Sequence, residues 1–270
     1  MTSAVRMPAV AGRFYPRRPD ELLRDVRSYT TGSEPALAAI GCVAPHAGYM
    51  YSGHVAGAVY ARLEIPQRCV VLCPNHTGAG HPLAVMTRAA WQTPLGNVAA
   101  DTELGVDLLN RFPMLQEDSA AHRGEHAIEV QLPFLQARQP ELRFVPIAVG
   151  TSDFDALAGL GEALAATIAA LGDNVLIIAS SDMNHYESDA ITRVKDHKAI
   201  ERVLALDPRG LWEVVMRQHI SMCGFGPAVA MLTAAKRLGA NSAQLVKYAT
   251  SGDVSGDRDM VVGYAGIIVN

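Results

Sequence analysis

Two apolar runs in this chain end in the same way. VAPH (43–46) and LCPNH (72–76) each pass from aliphatic residues through a proline to a histidine, so His46 and His76 follow directly on strand-like segments. A side chain there is fixed by rigid backbone yet open to a crevice, which suits a metal ligand; a plain turn residue is the alternative. A third run, NVLIIASSDMNH (174–185), leads into Ser180, Ser181, Asp182 and His185. Asp182 and His185 suit an orienting carboxylate and a general acid/base, because imidazole titrates near neutral pH. Ser181 or Asp182 as the cap of a following helix is the competing reading, and both can hold. Cys223 lies in SMCGFGP, ahead of the helix that Pro227 starts. The partial positive charge of a helix N-terminus favours a thiolate there, which either attacks an electrophile with His185 as base or joins His46 and His76 as a third metal ligand. A buried structural cysteine is the plainer alternative.

Other chemistry-bearing residues read less sharply. In AHRGEHAIEVQ, His122 and His126 stand four apart, as do Glu125 and Glu129. Gly124 breaks a helix before Glu125 and no H-E-x-x-H is present, so Glu125 and His126 are placed at a pocket edge. His54, His81, His197 and His219 are assigned to helix faces or loops. Cys42, Cys69 and Cys73 sit in apolar strand-like runs with no C-x-x-C pair, as packing cysteines. SGDVSGDRD (251–259) reads as a mobile loop over the crevice. The chain has no G-x-G-x-x-G fingerprint, P-loop or G-x-S-x-G elbow, which removes the usual support for nucleotide, nicotinamide and α/β-hydrolase readings.

The elements that must carry these residues are short valine- and isoleucine-rich runs alternating with helical patterns. Strands are expected over Ile40–Ala44, Cys69–Cys73, Leu83–Thr87, Arg143–Val149, Val175–Ala179, Leu245–Ala249 and Val261–Val269. Helices are expected from an N-cap at Ser52 to Leu63, and over Thr102–Phe112, Glu125–Arg138, Asp155–Leu171, Ala190–Leu206, Pro208–Gln218 and Pro227–Leu238. WQTPLG (91–96) reads as a turn joining an antiparallel excursion. The expectation is an α/β fold, a single domain over 1–270 with a mixed, mostly parallel sheet flanked by helices. The three His- and Asp-bearing strand ends share a crevice only if their strands are near neighbours pointing the same way.

Bulk properties agree. With 270 residues and 49% hydrophobic composition there is ample material for a core. Net charge is −4 and no basic block interleaves with aromatics, so no nucleic-acid footprint is expected. The apolar stretch Ala156–Leu171 is interrupted by Glu162 and falls short of a membrane span, and the arginine-dotted N-terminus lacks a signal's apolar region. The chain reads as a soluble protein with the cytoplasm as its default setting, free to form oligomers.

Taken in order, PAVAGRFYP (8–16), APHAGYMYSG (44–53), PNHTG (74–78), TPLG (93–96), GEHAIEVQLPFLQ (124–136), SSDMNHY (180–186) and MCGFGP (222–227) resemble the Memo family, including bacterial members described as system protein B of a Memo and radical-enzyme set. The resemblance implies a fold similar to class III extradiol ring-cleavage dioxygenases. It implies a metal set of His46, His76 and Cys223, with Asp182 and His185 lining the same pocket. Those dioxygenases use two histidines and a carboxylate; a thiolate in third place suits Fe(II) but also Cu or Zn. The implied function is a non-haem Fe(II) oxygenase-like or redox enzyme on a small-molecule substrate. A non-catalytic metal-binding or (phospho)peptide-binding protein is the alternative. Tyr49 and Tyr51 become candidate pocket walls.

Overall fold

Strands form where apolar residues run without interruption, because the sheet is covered on both faces. The computed structural model describes residues 5–32 and 34–270; the first four residues of the N-terminal stretch read for targeting lie outside the described residues. Its strands are β1 (Val5–Arg6), β2 (Gly41–Ala44), β3 (Arg68–Pro74), β4 (Leu83–Val85), β5 (Ala90–Thr93), β6 (Gly96–Ala100), β7 (Gln116–Glu117), β8 (Arg143–Val149), β9 (Val175–Ser180), β10 (His185–Glu187), β11 (Ala243–Thr250) and β12 (Val261–Val269). They make one mixed sheet in the order β1-β5-β6-β8-β3-β9-β2-β12-β10, with β11 on β12, β4 on β8 and β7 on β4.

At its centre β8, β3, β9 and β2 are mutually parallel, and every residue of β2, β3 and β9 is buried. Their side chains divide by the period of two. Val70 and Leu72 enter one core with Ile177, whereas Cys69, Val71 and Cys73 enter the other with Cys42 and Ile178. The three strand cysteines are thus buried free thiols that pack as small hydrophobes. β5 and β6 form the antiparallel excursion expected around TPLG, with Thr93 Oγ1 accepting from Leu95 N–H (3.0 Å) inside the turn.

The helices are α1 (Pro19–Tyr29), α2 (Tyr49–Ala61), α3 (Thr102–Arg111), α4 (Ala120–Arg123), α5 (Leu132–Arg138), α6 (Phe154–Leu171), α7 (Asp189–Leu204), α8 (Pro208–Arg217), α9 (Phe225–Arg237) and α10 (Gly252–Ser255). α1, α2 and α5 pack on the cysteine-bearing face, and α3, α6, α7, α8 and α9 on the other. α6 is long and apolar enough to cross a membrane, but Leu157, Leu160, Leu164 and Ile168 form a stripe in the core and the helix packs on α9 and α3. It is a core helix, capped by Asp153, whose carboxylate accepts from Ala156 N–H (2.8 Å).

Several boundaries depart from expectation. α2 begins at Tyr49 and not after Ser52: Gly48 is its N-cap, Tyr49 N–H donates to Phe14 O (2.7 Å), and Ser52 Oγ turns back to Ala47 O. The helix expected over Glu125–Arg138 begins only at Leu132, behind a 3-10 turn at Glu129–Gln131. Glu125 accounts for this, since its Oε1 accepts from the N–H groups of His126 and Ala127 and holds them in a turn. Neither Ser181 nor Asp182 caps α7; β10 intervenes and Ser188 precedes the helix. α1 lies outside the expected helices although Leu22, Val26 and Tyr29 keep helical spacing behind Pro19, with Asp20 and Glu21 in its first turn. The loop at 251–259 is pinned and not free: Arg193 pairs with Asp253 (2.9 Å) and Arg258 with Asp189 (2.7 Å).

Candidate metal centre

The parallel arrangement settles where the three polar strand ends go. β3, β9 and β2 are consecutive in the sheet and point the same way, so the residues after their carboxyl ends gather at one rim. His46 follows β2, His76 follows β3, and Asp182 and His185 follow β9. Cys223 arrives from the segment before α9. Gly224 makes that approach feasible, because a Cβ there would lie 2.4 Å from Ser181 Cβ and from Ser180 O, and its N–H donates to Ser181 Oγ (3.0 Å).

His46, His76 and Cys223 bring their ligand atoms within 4.8 Å of one another, and His46 Nε2 is 3.2 Å from Cys223 Sγ. A metal about 2.0–2.3 Å from each would hold such atoms roughly 3.5 Å apart, so the spacing fits with small movements. Hydrogen bonds fix both rings. Ser180 Oγ gives its single hydrogen to Ala127 O (2.6 Å) and accepts from Gln131 Nε2 (2.8 Å). At the His46 Nδ1 contact (2.9 Å) it therefore accepts, which puts the proton on Nδ1 and the lone pair on Nε2. Gln131 is oriented in turn by Tyr60 O–H, which donates to its Oε1 (2.8 Å). His76 Nδ1 donates to Glu125 Oε1 (2.9 Å), leaving its Nε2 as the free nitrogen. Both histidines are held by an acceptor behind the ring, the support that metal-ligating imidazoles use.

Electrostatics follow burial. Desolvation, with His126 and His76 nearby, holds His46 well below the usual imidazole range, so its ring is neutral. Burial works against a charge on His76, but its hydrogen bond to Glu125 prevails and raises it. Burial would raise Glu125 as well; the bond from His76 and the backbone N–H groups it accepts bring it down to about 2. Burial, reinforced by the Asp182 carboxylate, pushes the Cys223 thiol well up. Without a cation the sulfur keeps its proton, with His46 Nε2 (3.2 Å) and the Asp182 carbonyl oxygen (3.6 Å) as its acceptors. A divalent ion would take that proton's place and remove the cost of a buried thiolate.

The remaining expected residues are placed as follows. Asp182 is buried and burial raises it, yet its Oδ1 accepts His46 N–H (2.7 Å), so it locks the loop that presents His46. It does not orient His185, whose ring Nδ1 lies 2.8 Å from Ser221 O instead. His185 lines the cavity of about 590 Å³ in front of the cluster. Glu125 lies behind His76, and His126 stands in the cavity wall, stacked on His76 at 4.8 Å between centroids. Tyr49 and Tyr51 line a neighbouring cavity and not this one, because α2 starts early and turns them away; Tyr49 O–H donates to Val130 O (2.7 Å). The apolar wall comes from Phe14, Tyr186, Val262 and Tyr264. None of these was picked out from the sequence, nor were Gln131, Asn184 and Ser221; Phe14, Gln131, Asn184, Tyr186 and Ser221 lie inside the quoted stretches, but nothing local sets them apart there.

The family described as Memo-like protein matches residues 6–268. The chain belongs to the Memo family. A MEMO1 family protein of Methanosarcina mazei is 46% identical over 267 residues, covering 98% of this chain and 99% of its own length. One from Methanopyrus kandleri is 44% identical over 277 residues, covering 97% and 98%. One from Pyrobaculum aerophilum is 43% identical over 276 residues, covering 98% of each.

Proposed function

We propose that this Memo-family protein binds one transition-metal ion through His46, His76 and Cys223 and acts on a small molecule in the adjoining cavity, as a non-haem Fe(II) oxygenase-like or redox enzyme. The observation that carries the reading is the trio itself: ligand atoms within 4.8 Å, with both imidazoles held so that Nε2 is free. A His₂Cys set is soft enough for Cu or Zn as well as Fe(II), and with three protein ligands it leaves positions open to the cavity. The metal would supply Lewis-acid or electron-transfer chemistry. The protein's own residues do the rest. Asp182 keeps the His46 loop in place, Glu125 keeps His76 in its tautomer, and the apolar wall excludes water from the ligand's body. His185 Nε2 is the group that takes or returns a proton at the cavity. Three buried free cysteines and a thiol ligand fit a reducing, cytoplasmic setting.

Anaerobic reconstitution with Fe(II), and separately with Cu and Zn, tests the site. One equivalent should bind, and His46→Ala, His76→Ala and Cys223→Ser should each abolish uptake; unchanged metal content in all three would sink the reading. Oxygen consumption by the iron form over catechols, aminophenols and thiols then tests turnover. Silence across that panel together with tight peptide binding would favour a metal-dependent binding protein.

A further inference from the structure

His185 has support of its own, built apart from the metal-ligand cluster. Its backbone N–H donates to Ser221 Oγ (2.7 Å), and its ring Nδ1 lies 2.8 Å from the Ser221 carbonyl oxygen. A carbonyl oxygen only accepts, so Nδ1 carries a proton and Nε2 is left as the lone-pair nitrogen of a neutral ring. Ser221 is held in turn by the buried side chain of Asn184, whose Oδ1 accepts from Ser221 N–H (3.1 Å) and from its hydroxyl (3.0 Å).

The Asn184 amide has one orientation. Its Nδ2 donates to Glu187 Oε2 (2.7 Å) and Thr192 Oγ1 (3.3 Å), so a flipped amide would set oxygen against a carboxylate and NH₂ against the Ser221 N–H. Asn184 N–H donates to Asp196 Oδ1 (2.8 Å), which ties the arrangement to α7. The bonds that join Asp196, Asn184 and the Ser221 N–H therefore have one direction each, while the Ser221 hydroxyl has both Asn184 Oδ1 and the His185 carbonyl oxygen (3.3 Å) within reach.

We infer that Asn184 and Ser221 are a positioning pair that locks His185 as the Nδ1–H tautomer, so that Nε2 meets a ligand in the cavity as a hydrogen-bond acceptor. The ligand facing this side must then present a donor, an O–H, N–H or S–H group. The consequence for turnover rests on the proposed function, whereas the tautomer does not.

The test is long-range ¹H–¹⁵N NMR of the histidine rings in metal-free protein, at a pH where His185 is neutral, with its signals identified by their loss in His185→Gln. Wild type should show a protonated Nδ1 and a bare Nε2. Ser221→Ala, at an exposed position, keeps the carbonyl that accepts from Nδ1 but removes the hydroxyl that holds it against the His185 backbone, so it should move the tautomer ratio toward the Nε2–H form that an unrestrained imidazole favours, by up to about fivefold, the ceiling set by one hydrogen bond. Ser221→Thr should restore it, and Asn184→Ala should reproduce the shift wherever it folds. A merely structural role would lower stability without moving the ratio. Averaged nitrogens in wild type, or an unchanged ratio in Ser221→Ala, would overturn the inference. A locked tautomer in a protein that takes up no metal would sink the proposed function and leave the pair standing.

Discussion

Glu125 and Glu129 stand four residues apart, both with fully buried side chains, and both accept hydrogen bonds from the N-terminal half of the chain or its loops. Glu125 faces a histidine that reaches the cavity. Glu129 faces Arg6, with Tyr15 O–H (2.6 Å) and the N–H groups of Ala9 (2.7 Å) and Val10 (3.0 Å) completing its shell. Arg6 also reaches the carbonyls of His122 and Glu125 and lies over the Trp91 ring at 4.4 Å. The second region is closed: each oxygen of Glu129 is spent on the protein, and nothing is left for a ligand. The first is open, because His76 keeps its Nε2 unspent and His46 Nε2 meets only the Cys223 thiol, whose proton a cation can replace. Buried charge alone thus does not mark a functional site; an unspent donor or acceptor at a cavity does.

The largest effect should come from breaking the closed region. Glu129→Ala leaves the Arg6 guanidinium buried without its partner, which costs about 3–5 kcal/mol of folding stability. Urea unfolding measures this, while metal uptake per folded molecule stays at the wild-type level. A loss of under roughly 1 kcal/mol would show that water reaches Arg6 and that the region is not closed.

Next in size is a pH effect in the same region. Burial, aided by Arg6, brings His122 down to about 4; its Nε2 donates to Ala84 O (3.2 Å), and its Nδ1 is buried without a partner. A depressed imidazole favours the neutral form in the folded state, so the stability it confers is complete above the unfolded value near 6.5 and is lost as pH falls from there toward 4. The loss approaches about 3 kcal/mol. Comparing unfolding free energies between pH 7 and pH 4 in wild type and His122→Gln checks the sign, and the variant should be flatter across that window.

In the open region the same type of change should spare the fold and strike the ligand. Glu125→Gln keeps the size of the side chain but weakens the hold on His76 Nδ1, and loss of such support lowers metal affinity about 10–100-fold. Competition with a chelator measures it. Equal effects of Glu125→Gln and Glu129→Ala on stability, with none on affinity, would erase the distinction between the two regions.

The sequence carried the site further than it carried the supports. His46, His76 and Asp182 were legible because a proline or polar cluster after an apolar run marks a strand's end, and parallel β3, β9 and β2 then had to bring those ends together. Cys223 was legible from its glycine-rich turn. What holds these residues was less legible: Ser180 stands in the polar cluster after the third apolar run, but its partners, like those of Gln131 and Ser221, lie tens of positions away, and only tertiary contact selects them. Local pattern misled where a side chain captured backbone. Glu125 stopped the expected helix, and the early start of α2 turned Tyr49 and Tyr51 to another cavity. α1, by contrast, carries a readable stripe of Leu22, Val26 and Tyr29 behind its Pro19 start.

The smallest expected effect concerns strain, where the two regions also differ. Among the described residues, Tyr186, Leu206 and His219 are the non-glycines with positive φ, and none belongs to the closed region. Tyr186, at φ +60°, follows His185 and is 70% exposed at the cavity rim, where its ring tilts against His185 at 5.6 Å and little else offsets its left-handed backbone. Asparagine tolerates this conformation better than an aromatic residue does, and Tyr186→Asn should stabilise the fold by up to about 1 kcal/mol while removing one apolar wall of the cavity. Stability that rises with metal uptake unchanged would place the strain in the service of the ligand's body and not of the metal. Stability that falls would mean the exposed ring contributes packing, and the rim would then belong with the closed region.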